Sequence, residues 1–246
     1  MKRMFIWLFL SLPGLLSAQN ATEIVRKADE KMRGETSHAE MLIRTVRPYW
    51  TREMEVKTWM KGTSYAMILI KSPARDKGTS FLKKKKEVWN WLPALERTIK
   101  LPPSMMSQSW MGTDFTNDDL VKESSAVEDY QHTIIGDTVI DSRACYVIQF
   151  IPKPEATVVW GKLIVCIDKK DFIELHTRFY DEEGALLNTM KAYDVRLMDG
   201  RTIPTRLEMI PADKKGQKTE IIYRSIYFNR PIEDHFFSVE QMKQQN

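Results

Sequence analysis

The chain has little of what most enzymes advertise. Two cysteines and four histidines occur in 246 residues. His38, His132, His176 and His235 are scattered, with no HExxH-like pair, and neither Cys145 nor Cys166 has a second Cys or His at zinc-ligand spacing. There is no GxSxG elbow, no P-loop and no GxGxxG fingerprint. These absences count against the common zinc, nucleotide and serine-hydrolase chemistries, and no cofactor, metal or catalytic residue is expected. An excess of one charge is also missing. The 37 Lys and Arg face 33 Asp and Glu, a net of +4 to which Lys2 and Arg3 contribute. That balance leaves no nucleic-acid footprint. Internal repeats and low-complexity linkers are absent too, so residues 19–246 read as a single domain.

What is present begins with MKRMFIWLFLSLPGLLSAQ. A short basic start, an apolar run broken at Pro13–Gly14, and the small residues Ser17–Ala18 form a cleaved secretory signal over residues 1–18. The run is short for a membrane span, although an uncleaved anchor is the alternative. No Cys follows it, so lipidation is not indicated. Export permits a disulfide.

Asn20–Met32 has helical spacing. Ile24, Val25, Ala28 and Met32 share a face, Asn20 with Glu23 resembles a capping box, and Gly34 is a natural stop. From Ala39 to Leu101 the period falls to two. Arg52, Met54, Val56, Thr58 and Met60 alternate with Glu53, Glu55, Lys57, Trp59 and Lys61, as in an antiparallel strand with one wet face. Lys83–Lys86 are expected to crown a hairpin, either as a solvated tip or as a contact with an anionic surface. Pro102–Pro103 ends this half. Strands resume after Tyr130, separated by Asp141–Ser142, Pro152–Lys153–Pro154, Asp181–Glu182–Glu183–Gly184 and Asp199–Gly200. Ser238–Gln241 suggests a capped terminal helix. If Ala144–Ile151 and Val158–Asp168 pair so that Phe150 faces Gly161, Cys145 lies opposite Cys166. The two are then either bonded or two half-buried free thiols.

Between the halves lies QSWMGTDFTNDDL, residues 108–120. Its three aspartates suggest an acid or metal site, but Asp118 and Asp119 are adjacent and the run lacks calcium-loop spacing. Thr116 with Asp119 reads instead as a helix cap, and Gly112 as a hinge beside Trp110 and Met111. A chain this rich in short strands, with a helix before them and an irregular insert midway, is expected to form one curved antiparallel sheet of about ten or eleven strands. Such a sheet tends towards a barrel or half-barrel, and its concave face needs a filling. The 14 Met and 7 Trp residues suit either an ordinary core or a pliable apolar cavity.

The signal, the helix NATEIVRKADEKMRG, and the segments RTVRPYW, SPARDKGTSFL, VWNWLPALERTIKLP, MMSQSWMGTDFTNDDL and PKPEATVVWGKL together resemble the outer-membrane lipoprotein-sorting protein family. That family is similar to the LolA/LolB carriers. The resemblance implies an unclosed half β-barrel with a helical lid over a hydrophobic cavity. It further implies a periplasmic monomeric carrier for lipid or lipoprotein acyl chains, working between an inner-membrane transporter and an outer-membrane acceptor. The alternative is an exported sensor or enzyme on the same scaffold. For the carrier, the candidate cavity and lid residues are Met54, Val56, Met60, Trp89, Trp91, Met106, Trp110, Met111 and Phe115. The candidate hinge and cap are Gly112, Thr116 and Asp119. Trp110 is expected to face the cavity rather than the core.

Overall fold

The computed structural model describes residues 14–121 and 125–245. Helix α1 (Gly14–Arg33) leads into a meander of β1 (Thr36–Arg47), β2 (Trp50–Lys61), β3 (Tyr65–Ser72), β4 (Ser80–Lys84), β5 (Glu87–Leu92) and β6 (Arg97–Leu101). After an irregular segment containing α2 (Asn117–Val121), a second meander follows: β7 (Tyr130–Ile140), β8 (Arg143–Pro152), β9 (Lys162–Asp168), β10 (Glu174–Tyr180), β11 (Leu186–Met198), β12 (Arg201–Pro211) and β13 (Lys218–Phe228). A short helix, α3 (Val239–Gln244), ends the description.

All 13 strands lie in one antiparallel sheet, ordered β6-β5-β4-β3-β2-β1-β13-β12-β11-β10-β9-β8-β7. This is more strands than the ten or eleven expected. The sheet curves without closing. Its two edges, β6 and β7, are consecutive in the chain. The described parts of the segment that joins them, residues 102–121 and 125–129, therefore run between the two open edges.

The concave face holds the main core. Ala21, Ile24, Val25 and Ala28 of α1 are buried against it, each large aliphatic side chain contributing about 1.5–3 kcal/mol. Helix α1 runs straight through Asn20, so Asn20 is not its cap, because nothing in Leu15–Gln19 breaks a helix. Glu23 instead pairs with Arg26 at 2.5 Å. Gly34 stops the helix at φ +65°, its N–H donating to the Glu30 carbonyl at 2.9 Å. A Cβ there would sit 2.9 Å from Asn229 Oδ1. On the convex face Met67, Leu82, Phe237 and Met242 form a separate cluster, closed over by the C-terminal segment. Ser238 caps α3, accepting the Gln241 N–H at 3.2 Å.

Two details depart from the sequence reading. The β8–β9 ladder is shifted by two residues: Phe150 faces Leu163, Val147 faces Cys166, and Cys145 faces Asp168. Gly161 is taken instead by the backbone of Tyr180, to whose carbonyl it donates at 3.0 Å, and its missing Cβ lets Asp181 approach. Cys145 and Cys166 are therefore not a facing pair, and both are buried free thiols. Burial and the nearby Asp168 push the Cys145 thiol up to about 11. The second departure is Lys83. It lies within β4 on the face of Phe81, opposite Leu82, and is buried, whereas Lys84–Lys86 form the exposed tip.

Candidate functional site

Between α1 and the concave wall the side chains leave a cavity of about 310 Å³, near the lower end of the roughly 300–1,000 Å³ usual for ligand pockets. Val25, Ala28 and Met32 of α1 form one side. Met60, Phe115, Leu163, Phe179, Met209 and Ile226 form much of the rest. Polar groups reach its wall as well: Lys83, Asp118, Asp119 and Glu174.

The bridging segment is fastened by charge. The Arg47 guanidinium forks onto Asp114, with Nη1 donating to Oδ2 at 2.9 Å and Nη2 to Oδ1 at 3.0 Å. Thr219 Oγ1 on β13 donates to the same carboxylate at 2.7 Å and accepts the Asp114 N–H at 3.0 Å. Arg47 also reaches the Gly112 carbonyl at 3.2 Å, and Arg52 donates to the Met111 carbonyl. Both partners of the ion pair are largely buried, at 13% and 5% side-chain exposure. A pair this sheltered holds because each member's hydrogen-bonding capacity is used.

Just before Asp114 the chain turns sharply. Met111 (φ 50°) and Gly112 (φ 75°) both take left-handed backbone. Glycine does so freely, while Met111 is held there against an intrinsic preference of roughly 1–2 kcal/mol. Thr116 and Asp119 then satisfy each other across the first turn of α2. The Asp119 N–H donates to Thr116 Oγ1 at 3.1 Å, and the Thr116 N–H donates to Asp119 Oδ2 at 2.8 Å. Asp119 Oδ1 accepts the indole N–H of Trp160 at 3.1 Å. Burial pushes the Asp119 carboxyl up to about 6, against the pull of these donors. Of the three aspartates of 108–120, Asp114 thus serves the latch, Asp119 the cap, and Asp118 is buried at the cavity wall. Among the described residues, no three His, Cys, Asp or Glu side chains converge as a metal site.

The residues singled out in the sequence separate into three groups. Met60 and Phe115 line the cavity. Met54, Val56, Met106 and Trp110 are buried in the core cluster and do not line it, and Met111 packs partly buried against that cluster. Trp110 is fully buried, with its ring 5.5 Å from that of Phe81, so it is a core wedge beneath the bridging segment rather than a cavity wall. Its Nε1 finds no partner among the described residues. Trp89 and Trp91 pack on the convex cluster, since alternation along β5 sends Val88 inward and both tryptophans outward. Sequence reasoning missed the other half of the cavity, formed by Trp160, Leu163, Phe179, Met209 and Ile221. The alternation within β10, β12 and β13 carries that signal once the concave face is known.

A second anchor joins α1 to the seam. His132 on β7 donates from Nε2 to the Ala126 carbonyl at 2.8 Å, which leaves Nδ1 to accept the Thr22 hydroxyl at 3.1 Å. Burial lowers the His132 pKa.

No curated protein matches the chain significantly. Solved structures share its architecture, among them the following three. A DUF1329 family protein from Desulfovibrio piger ATCC 29098 matches with a TM-score of 0.84 at 19% identity, over 92% of this chain and 99% of that one. A LolA superfamily protein from Nitrosomonas europaea matches at 0.78 and 24%, over 90% and 98%. An outer-membrane lipoprotein-sorting protein domain from Vibrio parahaemolyticus matches at 0.79 and 24%, over 92% and 99%. A family model described as that of an uncharacterized, "-like" protein matches residues 62–244. The chain belongs to the family of that model, and its unclosed barrel is the fold of the LolA superfamily and of lipoprotein-sorting domains.

Proposed function

We propose that this protein is a carrier that shields lipid acyl chains, of a lipoprotein or another lipid, while they cross an aqueous compartment. The observation that carries the reading is the cavity between α1 and the concave sheet, left unfilled beneath a latched segment. Each CH₂ moved out of water is worth about 0.8 kcal/mol, so an acyl chain does not cross water unescorted. Met32, Met60 and Met209 give the walls pliability for chains of differing shape.

Residues 1–18 act as the export signal, and residues 1–13 lie outside the described part of the chain. The compartment is the periplasm, the donor an inner-membrane transporter, and the acceptor lies at the outer membrane. The carrier works as a monomer. Opening occurs at Met111–Gly112 after Arg47 releases Asp114. No covalent step is required, because transfer runs down an affinity gradient. The test is transfer of a fluorescent phospholipid between donor and acceptor vesicles. The purified protein raises the rate in proportion to its concentration. A rate equal to that of buffer alone contradicts the reading.

A further inference from the structure

A second cleft, of about 680 Å³, lies where α1 ends. It is lined by Glu30, Arg33, Glu35, Lys61, Tyr65 and Arg201, among others. It shares Arg33, Gly62 and Tyr65 with the apolar cavity, so the two adjoin at those residues, a mainly apolar chamber beside a polar vestibule.

The charges in the vestibule are only partly spent. Arg33 is paired with Asp29, and Lys61 donates to Asp234 at 2.6 Å. Arg201 has no carboxylate partner among the described residues. It donates to the Glu30 carbonyl at 2.6 Å and the Lys31 carbonyl at 3.1 Å, and lies 4.3 Å over the Phe228 ring. Glu30 and Glu35 are exposed, and their carboxylates have no ion-pair partner among the described residues. The C-terminal end of α1 adds partial negative charge on the same side. One cation and two carboxylates therefore remain to be matched beside an apolar chamber.

We propose that the vestibule recognises a zwitterionic aminophospholipid headgroup, whose acyl chain occupies the cavity. The phosphate faces Arg201, which is fixed by its carbonyl contacts and still has donors to offer. The amine faces Glu30 and Glu35. A purely anionic headgroup meets those two carboxylates, and an uncharged one uses none of the charges. This deepens the carrier reading and rests on it.

The test is displacement of N-phenyl-1-naphthylamine from the purified protein by three single-chain lipids of equal acyl length. These are lysophosphatidylethanolamine, lysophosphatidylglycerol and monoacylglycerol. The expected result is tightest binding of lysophosphatidylethanolamine, by about fivefold over the other two, as suits partly exposed pairs. Phosphoethanolamine without a chain leaves the probe in place. The double variant Glu30→Gln/Glu35→Gln, at exposed positions, is expected to fold and to narrow the preference to within about twofold. Arg201→Gln, checked by thermal melt, is expected to weaken both phospholipids relative to monoacylglycerol. Equal affinity for all three lipids, tighter binding of the anionic one, displacement by phosphoethanolamine alone, or an unchanged preference in the double variant overturns the vestibule while leaving the carrier standing. Failure of the probe and all three lipids to bind overturns the carrier itself.

Discussion

Two aromatic-rich faces of the same sheet have opposite fates. On the convex face Trp59, Trp89 and Trp91 are covered by the chain's own C-terminal segment, where Phe237 and Met242 are fully buried. On the concave face α1 and the seam segment cover a larger apolar surface and leave about 310 Å³ unfilled. Aliphatic and Met side chains dominate the concave cluster, and aromatic ones surround the smaller convex cluster. The difference in fate lies in what covers them: a segment that packs to completion, against a helix and a latched strap that do not. Well-packed interiors leave few voids larger than a water molecule, so an unfilled chamber in one face of an otherwise dense sheet is a feature to be explained by use.

The comparison breaks most visibly at its two wedges. Trp110→Ala and Phe237→Ala are each expected to lower unfolding free energy by about 3–5 kcal/mol, measured by denaturant titration. Neither side chain lines the cavity, so probe affinity per folded molecule stays near that of the parent. A Trp110→Ala protein that melts normally but no longer loads lipid would return Trp110 to the cavity wall. Next comes the latch. Asp114→Asn leaves the Arg47 guanidinium buried without its counter-charge, which is expected to cost about 3 kcal/mol. Hydrogen exchange is expected to rise first in residues 108–120, with the convex cluster unaffected. Uniform exchange across the chain would mean that the pair holds the whole fold rather than the seam.

Asp119 gives a pH signature confined to the concave face. Its folded-state pKa of about 6 lies above the ordinary 3.8, so the folded state binds its proton more tightly than the unfolded chain does. Stability from this group is therefore fully present below about pH 4, falls as pH rises to about 6, and is constant above. The total loss is on the order of 3 kcal/mol. His132 acts with the opposite sign. Its lowered pKa removes stability as pH falls through the range between its folded value and 6.5. Asp119→Asn is expected to flatten the acid-side slope and leave the His132 contribution. An unchanged slope in that variant excludes Asp119 as its source. The smallest effect on stability is expected from Met60→Trp, which fills vacant space. Stability moves by less than about 1 kcal/mol, while naphthylamine affinity drops severalfold, read by fluorescence titration.

Much of this architecture was legible in the sequence, for reasons that also explain the errors. Period-two alternation from Ala39 to Leu101 marked strands. Asp141–Ser142 and Asp199–Gly200 marked turns that do take left-handed backbone. The β8–β9 register was misjudged because a slip of two residues preserves every inward and outward assignment, so hydrophobic pattern alone is blind to it. Trp89 and Trp91 were correctly placed on one side of β5, but parity does not say which side is concave. The distant C-terminal segment is what buries the apolar patch of the convex face. Lys83 was hidden inside a four-lysine run, although its spacing from Phe81 places it on the concave face. The Thr116–Asp119 pairing was readable because caps are local. The latch was not, since it joins residues 47, 114 and 219.

The central claim is that the concave chamber is kept for a lipid. Native mass spectrometry of protein purified gently from the cells that make it tests it most directly. The account predicts a stoichiometric adduct with the mass of an acyl-bearing molecule, diminished in Met60→Trp and retained in folded Phe237→Ala. A bare polypeptide mass that stays bare after incubation with lipid, or a stoichiometric metal without lipid, would contradict it.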